Sequence, residues 1–313
     1  MATNEPTWEE LLGSKEWEGL LDPLELSLRK LILRCGEFIG ATGDAFNNVT
    51  NSKYIGSCRY GMQSLFNKVY LPSAASDYQV VAYLYTSATI FEAAPPGAGG
   101  WDNGQSNWMG YIAVTTDDVS KANGRREIYI AWRGTILLEE LKGDFDYTLV
   151  SANPLLASED EDAKVSEGWL KFYTTDNPDS VFAKTSPRTQ LQTKIKELLN
   201  QYKDEALSLL FTGHSLGAAL AALSAFDVVE NNVITTNIPV AAFVLAMPML
   251  GNDAFCKKIK ALLPILHVRN IHDIVPSFPG FLNNEYATVG TELVVDTTKS
   301  PYLKTPQKNR RIS

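Results

Sequence analysis

Two different spacings of apolar residues divide this chain into an N-terminal part and a longer remainder. Between residues 7 and 47, apolar side chains recur every three or four positions, which is the spacing of one face of a helix. Asp22-Pro23 is a typical start for one of these helices, because proline favours the first helical turn. Residues 1–78 are therefore predicted to form an N-terminal helical cap region. Its apolar positions include Trp8, Leu11, Leu12, Leu24, Leu28, Leu31 and Ile32.

From residue 79 the pattern changes to β-strands and then to strands that alternate with helices. Segments rich in Val, Ile, Tyr and Trp come first, and a helix with one apolar face follows Ser186-Pro187. This order is typical of a mostly parallel central sheet with covering helices. Residues 79–313 are therefore predicted to be the core of an α/β fold, in one structural unit with the cap region. The predicted strands are Gln79–Ser87, Trp108–Thr116, Glu127–Trp132, Leu207–Thr212, Val240–Met247 and Ile265–Arg269, and the later helices are Leu216–Val229 and Asp253–Leu262.

Composition and charge argue against several classes of function. The chain has 313 residues, 45% of them apolar, so it can bury a large core. Its net charge of -8 disfavours nucleic acid, which proteins bind through clustered lysines and arginines. The apolar stretches Leu216–Phe226 and Val240–Leu250 are too short to span a bilayer, so no transmembrane segment is expected.

The cysteines and the N-terminal residues bear on the compartment. Cys35, Cys58 and Cys256 are few, odd in number and far apart, which fits free thiols in a reducing compartment better than disulfides or a zinc site. No metal is expected. The first ten residues lack both the apolar core of a signal peptide and the arginine-rich composition of a transit peptide. A cytoplasmic protein is therefore expected.

The segment around Ser215 carries the strongest indication of chemistry. An apolar strand runs into Gly213-His214-Ser215-Leu216-Gly217, and a run of small residues follows. In a nucleophile elbow of this kind, the serine stands on a strained turn between strand and helix, and the flanking glycines let the backbones approach closely. The amide of Leu216, at the helix start, is the leading candidate to bind an oxyanion. The pattern predicts acyl transfer through a serine ester, and the alternative is a chance match in an ordinary strand-to-helix turn.

A second segment offers another oxyanion donor. An apolar strand ends in Arg133-Gly134-Thr135, where Thr135 can offer its backbone N–H and its hydroxyl to the same oxyanion. Alone this signal is weak, because a threonine after glycine more often caps a turn and an arginine more often makes a structural salt bridge. Together the two segments make a specific pair.

Several segments, some of them without obvious chemistry, match one known family together. They are Leu20–Leu24, Trp132–Thr135, Lys171–Thr174, Phe211–Gly217, Val268–Asn270, Asp273–Pro276 and Ser300–Lys304. With these segments the chain resembles the class 3 lipases, and among them the cytosolic phospholipase A1 enzymes of plants (phospholipase A1-II type), from Trp8 to about Lys304. The resemblance implies an α/β-hydrolase fold. It places the family's nucleophile on Ser215, its oxyanion donors on Leu216 and Thr135, and its triad acid on Asp273.

The position of Asp273 suits the role of triad acid. It comes just after the predicted strand Ile265–Arg269, at the carboxyl end of the sheet. It also follows Ser215 in the order serine, acid, histidine that α/β-hydrolases use. The alternative is an ordinary surface-turn aspartate before Val-Pro.

The proton acceptor is the open question in this sequence. In the resembling proteins the triad histidine follows the Ser-Pro-Tyr-Leu-Lys segment, so the C-terminal part that carries it is expected to be missing from these 313 residues. His214 occupies the variable position directly before the serine, and the side chain at that position of an elbow usually points away from the serine. His267 lies in an apolar strand. His272 is the one candidate substitute, although its neighbour Asp273 is badly placed to orient it.

The resemblance implies a serine acylhydrolase that cleaves the sn-1 acyl ester of glycerophospholipids and needs no cofactor. Its expected partners are a phospholipid or another acyl lipid, with transient contact to a membrane surface. Three accounts of the triad histidine remain open. The chain is a truncated or alternatively spliced lipase, a catalytically silent homologue that binds a lipid or a partner, or an enzyme with an unusual base. The polar tail after the last matching segment favours the first.

Overall fold

A seven-stranded sheet lies at the centre of the computed structural model, which describes residues 5–49, 52–87, 106–134, 146–234 and 237–303. The described strands are β1 (Tyr78–Ser87), β2 (Ser106–Thr115), β3 (Arg126–Trp132), β4 (Leu149–Ser151), β5 (Lys164–Ser166), β6 (Leu207–His214), β7 (Val240–Leu245), β8 (Gly251–Asn252), β9 (Ile265–Asn270), β10 (Tyr286–Ala287) and β11 (Thr291–Val295). The large sheet has the order β1-β2-β3-β6-β7-β9-β11. From β3 onwards every neighbouring pair is parallel, whereas β2 is antiparallel to both of its neighbours. The predicted mostly parallel central sheet is therefore confirmed.

Helices cover both faces of this sheet. The described α-helices are α1 (Trp8–Leu11), α2 (Leu26–Ala45), α3 (Leu65–Lys68), α4 (Pro72–Asp77), α5 (Asp117–Asn123), α6 (Glu167–Thr174), α7 (Pro187–Gln201), α8 (Leu216–Glu230) and α9 (Asp253–Leu262). Helix α2 lies on one face, where the ring of Phe38 contacts those of Phe66, Tyr78 and Tyr129. The N-terminal helices thus contribute to the core of the sheet itself.

Helices α6 to α9 share the core on the opposite face of the sheet. Alternation along β3 shows how one strand serves both cores. Ile128, Ile130 and Trp132 point into the core of α6 to α9. Tyr129 and Ala131 point into the core that contains α2, because successive side chains of a strand face opposite ways.

A smaller antiparallel sheet, in the order β10-β8-β5-β4, connects two distant parts of the chain. It pairs the segment before α6 with the segment that follows β7. Gly251 of β8 lies so close to the carbonyl of Lys164 in β5 that a Cβ atom would collide with it. The strands of this sheet have two or three residues each, which is too short for a periodic pattern in the sequence.

Several predicted boundaries differ from the structure, and for two of them the local geometry shows the reason. Helix α2 begins at Leu26 rather than at Asp22-Pro23, because the Glu25 carboxylate accepts a hydrogen bond from the Leu28 amide (2.8 Å) and caps the helix there. Strand β7 ends at Leu245, two residues before the predicted end, because Ala246 has a φ of 50° and turns the chain out of the strand.

Within the described ranges, no helix combines the length and the apolar character that crossing a membrane requires. The same ranges contain no group of three or more His, Cys, Asp or Glu side chains placed to hold a metal ion. The start of β1 at Tyr78 falls beside the predicted division between cap region and core. That division remains a prediction.

Candidate active site

Ser215 lies at the junction between β6 and α8. The strand ends at His214, and the helix begins at Leu216. Between them Ser215 has φ 55° and ψ -122°, in a region that residues with a side chain rarely adopt. Such a conformation costs on the order of 1–3 kcal/mol and persists where the surroundings hold it. One such contact runs from the Ser215 amide to the Leu245 carbonyl (3.1 Å).

Close backbone approaches explain the glycines on both sides of Ser215. A Cβ atom on Gly213 would collide with the carbonyl of Gly217, and one on Gly217 would collide with the carbonyl of Trp132. A Cβ on Gly134 would come within 2.7 Å of the His214 carbonyl. The end of β3, the elbow and the first turn of α8 therefore meet at distances that only glycine permits.

Of the two proposed oxyanion donors, Leu216 lies in the described part of the chain, at the start of α8. Leu216 is buried and is the first residue of α8, where amides have no carbonyl partner within the helix and face the positive end of its dipole. Thr135 lies outside the described residues. The residue two positions before it, Arg133, is buried and donates hydrogen bonds to the carbonyls of Trp108 and Gly134, both at 2.9 Å. Its guanidinium also stands over the ring of Phe46 at 3.8 Å.

Asp273 lies at the same edge of the sheet as Ser215. It follows β9, and β9 is separated from β6 by β7, so about two strand spacings, or ~10 Å, lie between the two strand ends. The Asp273 side chain is half-buried, and its Oδ1 accepts a hydrogen bond from the Val275 amide (3.0 Å).

The three histidines of the chain have three different environments. His214 keeps an exposed edge, yet desolvation of its ring lowers its pKa, and the nearby charge of Asp273 opposes that shift. His267 is buried in β9, where burial lowers its pKa to about 4. His272 is exposed, and its Nε2 lies 3.3 Å from Oδ1 of Asp296.

None of these imidazoles is hydrogen-bonded to the Ser215 hydroxyl in the part of the chain that the structure describes. His267 is occupied elsewhere, since its Nε2 accepts a hydrogen bond from the Met247 amide (3.0 Å). His272 faces Asp296. Its role as a substitute base remains a prediction, as do the roles of Leu216, Thr135 and Asp273.

Two polar contacts that anchor α8, the helix after the elbow, are not predicted from the sequence. Trp132 Nε1 of β3 donates to Ser224 Oγ of α8 (3.0 Å), with both residues buried. Asp227 of α8 is fully buried and accepts hydrogen bonds from Tyr173 and Arg188. The sequence signal for Asp227 is a carboxylate between the apolar residues Phe226 and Val228 of a buried helix, because such a group must find partners when it is buried.

Comparison with known proteins agrees with this geometry. A family model described as lipase (class 3) matches residues 129–283. Phospholipase A1-IIdelta of Arabidopsis thaliana is 48% identical over 97% of this chain and 79% of its own length. The chain belongs to the class 3 lipase family. Phospholipase A1-II 5 of Oryza sativa subsp. indica is 43% identical over 95% of this chain, which spans 66% of that protein.

Solved structures support the fold of this class 3 lipase. The Lip2 lipase of Yarrowia lipolytica superposes with a TM-score of 0.57 at 19% sequence identity, over 87% of this chain and 80% of that one. At an identity this low, the similarity supports the fold and not the function. The α/β-hydrolase fold that the sequence resemblance implied is thus confirmed.

Proposed function

We propose that this class 3 lipase is a phospholipase A1, a serine acylhydrolase that cleaves the sn-1 ester of glycerophospholipids through an acyl-enzyme at Ser215. The strained backbone of Ser215, held between three close backbone approaches, is the observation that carries the proposal. The phospholipase A1-II relatives support the choice of substrate, because they match almost the whole chain.

In the proposed reaction Ser215 Oγ attacks the sn-1 carbonyl carbon, and its proton passes to the triad histidine, which Asp273 would orient and which the described residues do not place beside Ser215. The carbonyl oxygen becomes an oxyanion, which the amide of Leu216 stabilises together with Thr135. The tetrahedral intermediate collapses, the histidine returns the proton to the glycerol oxygen, and a lysophospholipid leaves. Water then hydrolyses the acyl-enzyme by the same steps and releases a fatty acid.

A second candidate function is a lipid-binding protein that does not turn over its ligand. The observation that favours it is that no imidazole is bonded to Ser215 in the described residues. Removal of the histidine from other serine triads lowers turnover by on the order of 10⁶, which leaves the oxyanion hole and binding as the remaining sources of catalysis.

Release of labelled acyl chains separates the two candidates. The 313-residue protein is incubated with phosphatidylcholine labelled at sn-1 or at sn-2, beside Ser215→Ala and the exposed-serine control Ser76→Ala. We expect sn-1 release from the wild type and from Ser76→Ala, and none from Ser215→Ala. Equal release by Ser215→Ala would exclude the serine mechanism, and binding without release would favour the silent candidate. Release from sn-2 alone would contradict the proposed regiochemistry.

We also propose that the carboxyl edge of the sheet contacts a phospholipid surface. Large apolar side chains flank Asp273 there, with Ile271 and Ile274 exposed by 56% and 54%. Farther along, Phe281 and Leu282 are exposed by 62% and 65% in a turn closed by the Leu282 amide and the Pro279 carbonyl (2.7 Å). The net charge of -8 gives no attraction to anionic lipids, so a zwitterionic surface is the partner that these residues fit.

Cosedimentation with phosphatidylcholine vesicles tests this contact independently of catalysis, in the Ser215→Ala background. Phe281→Ser with Leu282→Ser is compared with Leu26→Ser plus Leu33→Ser, whose leucines are 59% and 58% exposed on α2. Loss of about 1 kcal/mol of apolar burial per side chain lowers the partition coefficient by roughly 30-fold. Equal binding by the two double variants would refute the assignment of this surface.

A cytoplasmic location is proposed on the basis of the thiols. Cys35, Cys58 and Cys256 are free, and burial raises the pKa of Cys35 and Cys256 to about 12, so neither thiol is reactive at neutral pH. Fractionation of cells that express the protein tests this. Recovery in the secretory fraction would contradict the proposal.

A further inference from the structure

Two strained residues at the carboxyl edge of the sheet are linked by one peptide group. Ser215 has a φ of 55°, and Ala246, directly after β7, has a φ of 50°. The carbonyl of the peptide group between Leu245 and Ala246 accepts a hydrogen bond from the Ser215 amide (3.1 Å). The N–H of the same peptide group donates to the Val268 carbonyl of β9 (2.9 Å). The orientation of this single planar group therefore affects how the elbow is held.

His267 fixes the next peptide group along the chain. Its Nε2 accepts a hydrogen bond from the Met247 amide (3.0 Å). His267 and Met247 are both buried, with 4% and 3% of their surface exposed. Burial lowers the pKa of His267 to about 4, so the ring is neutral at neutral pH and Nε2 keeps its lone pair. The hydrogen bond thus assigns the ring proton to Nδ1.

Ala246 needs such restraint. A left-handed conformation brings the Cβ of an ordinary residue close to the backbone, and only glycine adopts it without penalty. Hydrogen bonds on both sides of Ala246 hold it there, one from its own amide to Val268 and one from the Met247 amide to His267. If the bond from the Met247 amide to His267 is removed, the buried Met247 amide loses its acceptor. Ala246 then gains by returning to negative φ, because nothing on that side offsets its strain.

We propose that His267 is a positioning residue for the nucleophile: it holds Ala246 in the left-handed conformation and so keeps the Leu245 carbonyl on the Ser215 amide. This inference rests on the proposed function, because it takes Ser215 as the residue that is acylated. His267 touches neither Ser215 nor the substrate in this account. It acts through the two peptide groups that flank Ala246.

Three variants distinguish positioning from simple packing. His267→Leu removes the acceptor, and His267→Gln offers an amide oxygen in its place. In the double variant His267→Leu/Ala246→Gly, glycine removes the left-handed penalty that His267 is proposed to offset. Ala246→Gly alone is the control. The readouts are the acylation rate of Ser215 in a p-nitrophenyl ester burst, its kcat and KM, and hydrogen exchange of the Ser215 and Met247 amides.

We expect His267→Leu to slow acylation on the order of 10-fold with an unchanged KM, and to speed exchange of both amides by a similar factor. His267→Gln and the glycine double variant should recover most of the acylation rate. Impairment of all three variants to the same extent would show packing alone and would overturn the proposal, as would normal protection of the Ser215 amide in His267→Leu. If the wild type is not acylated, the proposed function fails, and exchange at Ser215 still decides the positioning role.

Discussion

A methyl group added at Gly217 tests whether close backbone contact holds the elbow. In Gly217→Ala the new Cβ would overlap the Trp132 carbonyl oxygen and lie 2.8 and 2.9 Å from the carbonyl carbon and oxygen of Arg133. Ordinary contacts of this kind are about 3.4 Å or longer, so relief of the overlap with the Trp132 oxygen requires α8 and the end of β3 to separate by ~1 Å. Trp132 is fully buried and donates a hydrogen bond to Ser224 of α8. Separation of α8 from β3 would therefore disrupt core packing and this hydrogen bond.

Overpacking of this kind costs up to about 3 kcal/mol. An unfolding entropy of about 2.1 cal/mol/K per residue gives roughly 0.66 kcal/mol/K for 313 residues, so we expect Tm to fall by about 5 °C. Acylation of Ser215 should fall further than stability explains, because the methyl group lies in the first turn of α8, next to Leu216, the proposed oxyanion donor.

Scanning calorimetry and a p-nitrophenyl ester burst measure the two effects, with Gly40→Ala as the matched control. Gly40 lies inside α2, where a Cβ atom would meet nothing within 4 Å, so alanine there should raise stability by about 0.5–1 kcal/mol. The explanation by close contact fails if Gly217→Ala keeps the wild-type Tm and burst rate.

Three further predictions follow from single contacts. Asp227→Ala leaves Arg188 and the buried Tyr173 hydroxyl without their carboxylate, so the free energy of unfolding should fall by about 3 kcal/mol in denaturant titration, while KM stays constant. Trp132→Phe removes the indole donor to Ser224, and the same titration should show a loss of about 1 kcal/mol. Because folding lowers the pKa of His267 to about 4, its contribution to stability is complete above pH ~6.5 and is lost as the pH falls towards 4. It amounts to roughly 3 kcal/mol, and a pH series should show this dependence in the wild type but not in His267→Gln.

Much of the fold could be predicted because its main elements are long and periodic. The prediction of helix Asp253–Leu262 is correct to the residue, and the strands that precede Ser215 and Asp273 end within two residues of their predicted ends. Both α8 and β6 are buried on nearly all sides, so composition and glycine positions identified them together. Strand β11, with its half-exposed residues, has no comparable apolar run and was missed.

The candidate site was predictable where chemistry dictates local sequence. The elbow needs glycine at positions 213 and 217, because a Cβ atom there would collide with neighbouring backbone. The glycine spacing in the sequence therefore predicts these close backbone contacts. The support from His267 could not be foreseen, because it depends on a turn at Ala246 and on strand register between β7 and β9. Neither the turn at Ala246 nor the register of the two strands is indicated by a residue pattern in the nearby sequence. The prediction at Thr135 falls outside the described residues.

Covalent labelling of Ser215 tests the central claim most directly. Purified 313-residue protein is treated with a fluorophosphonate, and intact mass and peptide mapping follow the adduct in the wild type, Ser215→Ala and Ser76→Ala. We predict one adduct, on Ser215, in the wild type and in Ser76→Ala, and none in Ser215→Ala. Absence of labelling in folded wild-type protein, or an equal adduct in Ser215→Ala, would contradict an activated serine at the elbow.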